Sequence, residues 1–293
     1  MDKNSLLSTV SKLVSVIGPS GFEHEVREIV IEELKPYADE LWVDTLGNVV
    51  AVKKGSRGGS RIMLAAHMDE IGFIITHIDK RGFIKFSPIG GWSERILPGQ
   101  RVVILAKDKR KIRGVIGHKP PHIMTPEEAK QVIEIKNLFI DIGASNQEDV
   151  KKLGIEPGCV VVLDRDVSIL GSNDVISSRA LDDRIGLATM IEAFKEIDNV
   201  ESDIYVVATV QEEVGLKGAR VAAFSISPHV ALAIDVTIAS DVPGVDESMW
   251  ITQLGKGPAI KVIDGRSGTG LITHPAIKEL LIKAAEEESI PYQ

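Results

Sequence analysis

The chain has 293 residues, 44% hydrophobic and 26% charged, enough to bury one large core or two smaller ones. Its net charge of −8, with no long basic run, argues against nucleic acid and anionic membrane as partners. No apolar run approaches the roughly 18 residues of a membrane span, and the opening MDKNSLL lacks the basic-then-apolar order of a secretory signal. The single cysteine, Cys159, lies inside CVVVL and reads as a core residue. That usage fits a reducing, cytoplasmic location.

Along the chain, Leu6, Val10, Leu13, Val14 and Ile17 follow helical spacing up to a stop at Gly18-Pro19. Ser20-Gly21-Phe22-Glu23 has the spacing of a capping box opening a second helix, with Val26, Ile29, Val30 and Leu34 on one face and an end at Pro36. ELWVD and NVVAVK predict two strands joined by a turn at Leu46-Gly47, and RIMLAA predicts a buried strand leading to His67.

From residue 70 to 164 short β-rich pieces alternate with turn signals such as Asp79-Lys80-Arg81-Gly82 and Asp108-Lys109-Arg110, the texture of a small barrel or sandwich. Beyond 164 the α/β texture returns. A helix is predicted over 182–197, then the strand IYVVATV, a helical segment near 217–224 and the strands VALAID and AIKVI. A last helix begins at Pro275, a favoured first helical position. The expected organisation is an α/β domain, residues 1–69 plus 165–293, interrupted by a β-rich insertion at 70–164.

The ionisable residues of interest stand where apolar runs stop. RIMLAA runs into His67-Met68-Asp69, IYVVATVQ into Glu212-Glu213, and ALAI into Asp235. In an open α/β sheet, ligands bind outside the carboxyl ends of the strands. Such ends would therefore converge, and one histidine with several carboxylates is the donor set of a divalent-metal hydrolase.

Each residue also has a plainer reading. His67 alone reads equally as a hydrogen-bonded core residue; Asp69, two positions on and on the same face of an extended segment, adds an acceptor for its second ring N–H. Asp182 and Asp183 are either helix N-terminal acids or a cation bridge, with Arg184 a candidate partner. Glu212 and Glu213 must point different ways, so one can bind metal while the other faces the attacking water, or both are a solvated strand end. His24, His77, His118, His122, His229 and His274 read as surface or capping residues. The segment Gly265–Gly270 is Gly-rich but lacks the Lys-Ser/Thr of a phosphate-binding loop.

AAHMDEIGF, SSRALDDRIG, ATVQEEVGLKGA and ALAIDVTIASDVPG, in this order, resemble the tetrahedral (TET) aminopeptidases, also known as deblocking or glutamyl aminopeptidases and in places as endoglucanases. The likeness runs the length of the chain, through GGW…LPGQRVVI and DGRSGTGLITHP. It implies a phosphorylase/hydrolase-like mixed sheet flanked by helices, with an inserted barrel-like dimerisation domain. It implies a co-catalytic pair of divalent ions, zinc or cobalt, with His67 and Asp235 on one metal, Glu213 on the other and Asp182 as bridge. Glu212 becomes the general base and Asp69 the partner of His67. Short peptides become the substrates, and a tetrahedral dodecamer built from dimers the assembly.

The chain departs from the family pattern at its end. The family's further histidine ligand falls in about fifty residues beyond Gln293, so the second metal site is expected to be incomplete here. A glycosidase built on a carboxylate pair, or an assembly subunit without turnover, are the alternative readings; a glycosidase would need neither His67 nor a bridging acid.

Overall fold

A computed structural model describes residues 2–171, 175–264 and 270–293. Residues 265–269 of the Gly-rich segment noted above lie outside the described residues. The chain divides into two compact units, residues 1–235 and 236–293.

The first unit opens with α1 (Lys3–Ser15), capped by the Asp2 carboxylate, which accepts from the Ser5 amide. Helix α2 (His24–Leu34) follows. Strands β1 (Glu40–Val43) and β2 (Val49–Lys53) pair antiparallel, and β3 (Arg61–His67) comes next. Then come β4 (Gly72–Ile78), β5 (Ile84–Ile89), β6 (Arg101–Leu105), β7 (Lys111–Gly117), β8 (Phe139–Asp141), the short α3 (Gln147–Lys152) and β9 (Val160–Leu163). A hairpin of β10 (Ser168–Leu170) and β11 (Val175–Ser177) leads to α4 (Leu181–Glu196), β12 (Asp203–Thr209), α5 (Lys217–Ile226) and β13 (Val230–Ala233).

Two sheets dominate this unit. The first is mixed, in the order β1-β2-β12-β3-β13, with β12 and β13 both parallel to β3. Its central strands are apolar on both faces because helices cover both. Val49, Ala51, Val206 and Ala208 face α1, α2 and α4, packing with Leu13, Val30 and Leu187. Their neighbours Val50, Val52 and Val207 face the other way, onto Ala222 and Ile226 of α5. The two-residue strand period thus writes two cores into one run.

The second sheet closes into a barrel, β4-β5-β8-β7-β6-β9, all within residues 72–163. Phe73 lies at its centre, edge-on to Phe86 at 4.9 Å and stacked on Trp92 at 4.5 Å. Closure leaves no free edge, which suits the short strands read from the sequence. Val160 and Val162 point outward and pack with Ile17, so β9 is buried on both faces.

Residues 236–293 hold α6 (Pro275–Glu287), begun by Pro275 and capped by the His274 ring, which accepts from the Ala276 amide. Among the described residues the segment AIKVI forms no strand, and an isolated bridge joins Ile263 and Ile272. The capping box at Ser20–Glu23 is also corrected. Glu23 is itself the residue before the helix and makes no cap bond, because its side chain and that of Ser20 are turned to distant partners. Among the described residues no helix is long and apolar enough to cross a membrane.

Candidate metal centre

The register of the mixed sheet brings the separated acids to one edge. His67, the last residue of β3, pairs with Thr209 of β12, three residues before Glu212. Ala65 pairs with Ala233 of β13, which sets Asp235 level with His67. Asp182 and Asp183 arrive from the start of α4. Their backbone is not helical, so the regular helix begins after them, and the peptide bond between them is cis.

His67 is buried at the centre of the cluster. Its Nε2 lies 3.2 Å from Asp182 Oδ1, 3.8 Å from Glu212 Oε2 and 4.0 Å from Asp235 Oδ1. On the other side of the ring, Nδ1 is 3.0 Å from the backbone carbonyl of Asp69 and 3.5 Å from its carboxylate. A proton on Nδ1 therefore satisfies that carbonyl and leaves Nε2 as the nitrogen turned toward the acids. The shortest contact from Asp69 to the ring is thus a backbone one. Its carboxylate is occupied by the amides of Glu212 and Glu213 and the hydroxyl of Ser20.

Asp183 is fully buried; one carboxylate oxygen accepts from the His67 amide at 3.3 Å, while the other has no hydrogen-bond partner among the described residues. Arg184, read as a candidate partner for these acids, instead turns away. Its guanidinium donates to the carbonyls of Leu13, Val16 and Met68 and to the Glu70 carboxylate. Glu70 also receives Arg179 and the Gly18 amide, so one buried carboxylate ties the exit of α1 to the ends of β3 and α4.

So many acids near one point oppose one another's ionisation. Burial first, then the Asp235 and Asp182 charges, push Asp183 up to about 8 against the opposing pull of the His67 charge. Burial and the Asp182 charge push Glu213 up to about 7. Glu212 is raised for the same reasons, burial first. Burial alone would lower the His67 imidazole, but hydrogen bonds and charge from Asp182, Asp69 and Asp183 outweigh it and carry it to about 11. Asp69 goes the other way: against the cost of burial, hydrogen bonds from His67, Ser20 and the Glu212 amide hold it down as a carboxylate.

This arrangement fits a divalent cation. Ligand atoms of His67, Asp183 and Asp235 lie within 4.8 Å of one another, as do those of His67, Glu212 and Glu213. The donors are imidazole nitrogen and carboxylate oxygen, the set that zinc and its neighbours take. The unpartnered buried oxygen of Asp183 is what a cation nearby would relieve. Sequence reasoning weighed Asp183 only together with Asp182, as a helix-terminal acid or a cation bridge, and passed over Asn48, whose only local signal is its position directly before the buried strand β2.

A mixed sheet with an imidazole and carboxylates at the carboxyl ends of parallel strands, accompanied by a six-stranded barrel, is the architecture of a metallo-aminopeptidase. The profile of the M42 glutamyl aminopeptidase family matches residues 47–293, and the chain belongs to that family. It is a TET-type aminopeptidase, a hydrolase of peptide bonds, and membership implies divalent metal ions. The structure of an aminopeptidase from the archaeon Desulfurococcus kamchatkensis is 52% identical with a TM-score of 0.95, covering 99% of this chain and 79% of that one. The TET1 peptidase of Pyrococcus horikoshii, which can assemble into a tetrahedron or a large octahedral shell, is 34% identical with a TM-score of 0.84, covering 98% and 83%. The lysyl aminopeptidase of Pyrococcus furiosus is 38% identical, over 97% of this chain and 79% of its own length.

Proposed function

We propose that the chain is the subunit of a cytoplasmic dinuclear aminopeptidase that removes N-terminal residues from short peptides. The observation that carries this reading is the convergence of His67, Asp182, Glu213 and Asp235, with Glu212 beside them, on one edge of the sheet. His67 and Asp235 would hold one zinc or cobalt ion, Glu213 the other, and Asp182 would bridge them. When bound, such ions supply Lewis acidity toward the scissile carbonyl and make water at the site more acidic.

The chain's own groups do the rest. Glu212 takes a proton from the attacking water and returns it to the amine nitrogen as the C–N bond breaks. Asp69 holds the backbone of the Glu212–Glu213 pair and the orientation of His67. The surplus of carboxylates attracts the free α-ammonium of a peptide, which selects cleavage at the chain end.

A panel of aminoacyl p-nitroanilides and short peptides, each with its N-acetylated counterpart, tests this reading. Release from the free amines and none from the acetylated set is expected. Equal rates on both would remove the exopeptidase reading, and cleavage of β-glucan with no peptide cleaved would favour the glycosidase alternative.

For assembly, residues 70–164 form the proposed dimerisation domain and residues 1–69 plus 165–293 the catalytic one, twelve subunits making a tetrahedral particle. The barrel region leaves Ile96, Val115, Ile123 and Val132 exposed, which supports a partner surface. Changing Ile96 and Ile123 together to Asp should shift sedimentation to smaller species. An unchanged profile would reject the role.

A further inference from the structure

Where β12 ends, four successive backbone amides are each taken by a side chain from elsewhere in the chain. The Val210 amide donates to Asn48 Oδ1 at 2.9 Å and the Gln211 amide to Glu23 Oε1 at 3.0 Å. The Glu212 and Glu213 amides donate to the two oxygens of Asp69, at 3.0 and 3.2 Å. The acceptors are 0%, 3% and 0% exposed.

Each acceptor is held in turn. Asn48 donates to the Asp44 carboxylate at 2.6 Å and to the Gly218 carbonyl at 3.0 Å, thereby gripping the far side of the same loop. Glu23 also accepts from the Gly21 amide at 2.8 Å. The Ser20 hydroxyl donates to Asp69 Oδ2 at 2.5 Å.

The backbone so held is an unusual one. Gln211 has φ of 55°, left-handed for a residue with a side chain, a conformation that persists only when its surroundings fix it. Burying the Glu23 carboxylate is costly in itself, and its hydrogen bonds to backbone amides are what offset that cost. The residues immediately after Gln211 are Glu212 and Glu213.

We infer that Glu23, Asn48 and Ser20 are positioning residues for the Glu212–Glu213 pair. Glu23 and Asn48 fix the backbone entering the pair, and Ser20 fixes the Asp69 carboxylate that receives both of its amides. The inference rests on the reading of Glu212 as proton carrier and Glu213 as metal ligand. Ser20 and Glu23, which look like a helix cap in the sequence, act on a loop 188 residues away.

The test uses the full chain with Glu23→Ala, Glu23→Gln, Ser20→Ala and, as a reference, Glu212→Gln. Amide hydrogen exchange of the 210–213 segment is followed in metal-free protein, and kcat and KM are measured with metal on an aminoacyl p-nitroanilide that the parent cleaves. Glu23→Ala should speed exchange of the segment about 10-fold, the effect of one lost hydrogen bond. It should lower kcat about 10- to 100-fold with KM little changed, since it displaces reacting groups rather than a binding surface. Glu23→Gln keeps an acceptor oxygen and should restore most of both. Unchanged exchange in Glu23→Ala, or faster exchange with unchanged kcat, overturns the inference. If Glu23→Ala does not fold, Ser20→Ala decides: faster exchange at Glu213 with a severalfold lower kcat supports it, and parent behaviour in both overturns it. Full activity in Glu212→Gln would bring down the functional reading instead, with the exchange data still deciding whether these residues hold the loop.

Discussion

Glu212→Gln should lose roughly 10²–10⁴-fold in kcat while its metal content stays at the parent level. The amide keeps the size and shape of the side chain, and the backbone at 212 remains bound to Asp69, so nothing that places the loop is removed. What disappears is the ability to take a proton. Glu213→Gln should behave differently, because an amide is a poor substitute for a carboxylate on a cation. Elemental analysis of that variant should show one metal equivalent fewer. If Glu213→Gln kept its metal and Glu212→Gln lost it, the two roles would have to be exchanged.

Exhaustive chelation should abolish hydrolysis, and zinc or cobalt should restore it. Reloading should also depend on pH, in a direction set by the protons the cluster holds. In metal-free protein Asp183 keeps its proton up to about 8 and Glu213 up to about 7, against ordinary values of 3.8 and 4.5. Raised carboxyl groups stabilise the folded form while protonated, and that contribution is lost as pH rises through the folded values. His67, held near 11 against 6.5, likewise contributes most below its ordinary value and loses it only as pH rises through 11. A cation competes with the protons on its ligands His67 and Glu213, and its charge opposes the one on Asp183, so its stabilisation grows with pH. The rise in melting temperature on adding cobalt should be larger at pH 8 than at pH 6. An equal or smaller rise at pH 8 would contradict the assignment, as would full activity in protein shown to be free of metal.

Most helices and strands of the mixed sheet, and the β-rich character of residues 70–164, were legible because their signals are local: apolar runs, turn residues and the alternation that gives β2 and β12 two buried faces. Barrel and sandwich stayed open, and α3, β8 and the β10–β11 hairpin were not foreseen. The meeting of His67, Glu212 and Asp235 was legible at one remove, through the rule that parallel strands present their carboxyl ends together. Local pattern misled where tertiary partners took over. Ser20 and Glu23 have capping-box spacing, yet Asp69 and the Gln211 amide claim their side chains. Arg184 follows Asp182-Asp183 in sequence, but the free carbonyls at the exit of α1 and the Glu70 carboxylate take its guanidinium. AIKVI has strand composition, and among the described residues no neighbouring strand pairs with it beyond one bridge at Ile263.

The sequence distances spanned by the site carry one more consequence. Asp182 meets His67 across 115 residues, Glu212 meets Asp69 across 143, and Gln211 meets Glu23 across 188. Contacts of such separation require long loops to close, an entropic cost that local contacts do not carry. In a partly unfolded chain Glu23, Asn48 and Asp69 are no longer beside residues 210–213, and the backbone at Glu212 loses what holds it. The proposed hydrolytic centre is therefore a property of the tertiary fold and of no single segment, so that partial unfolding and loss of activity should go together.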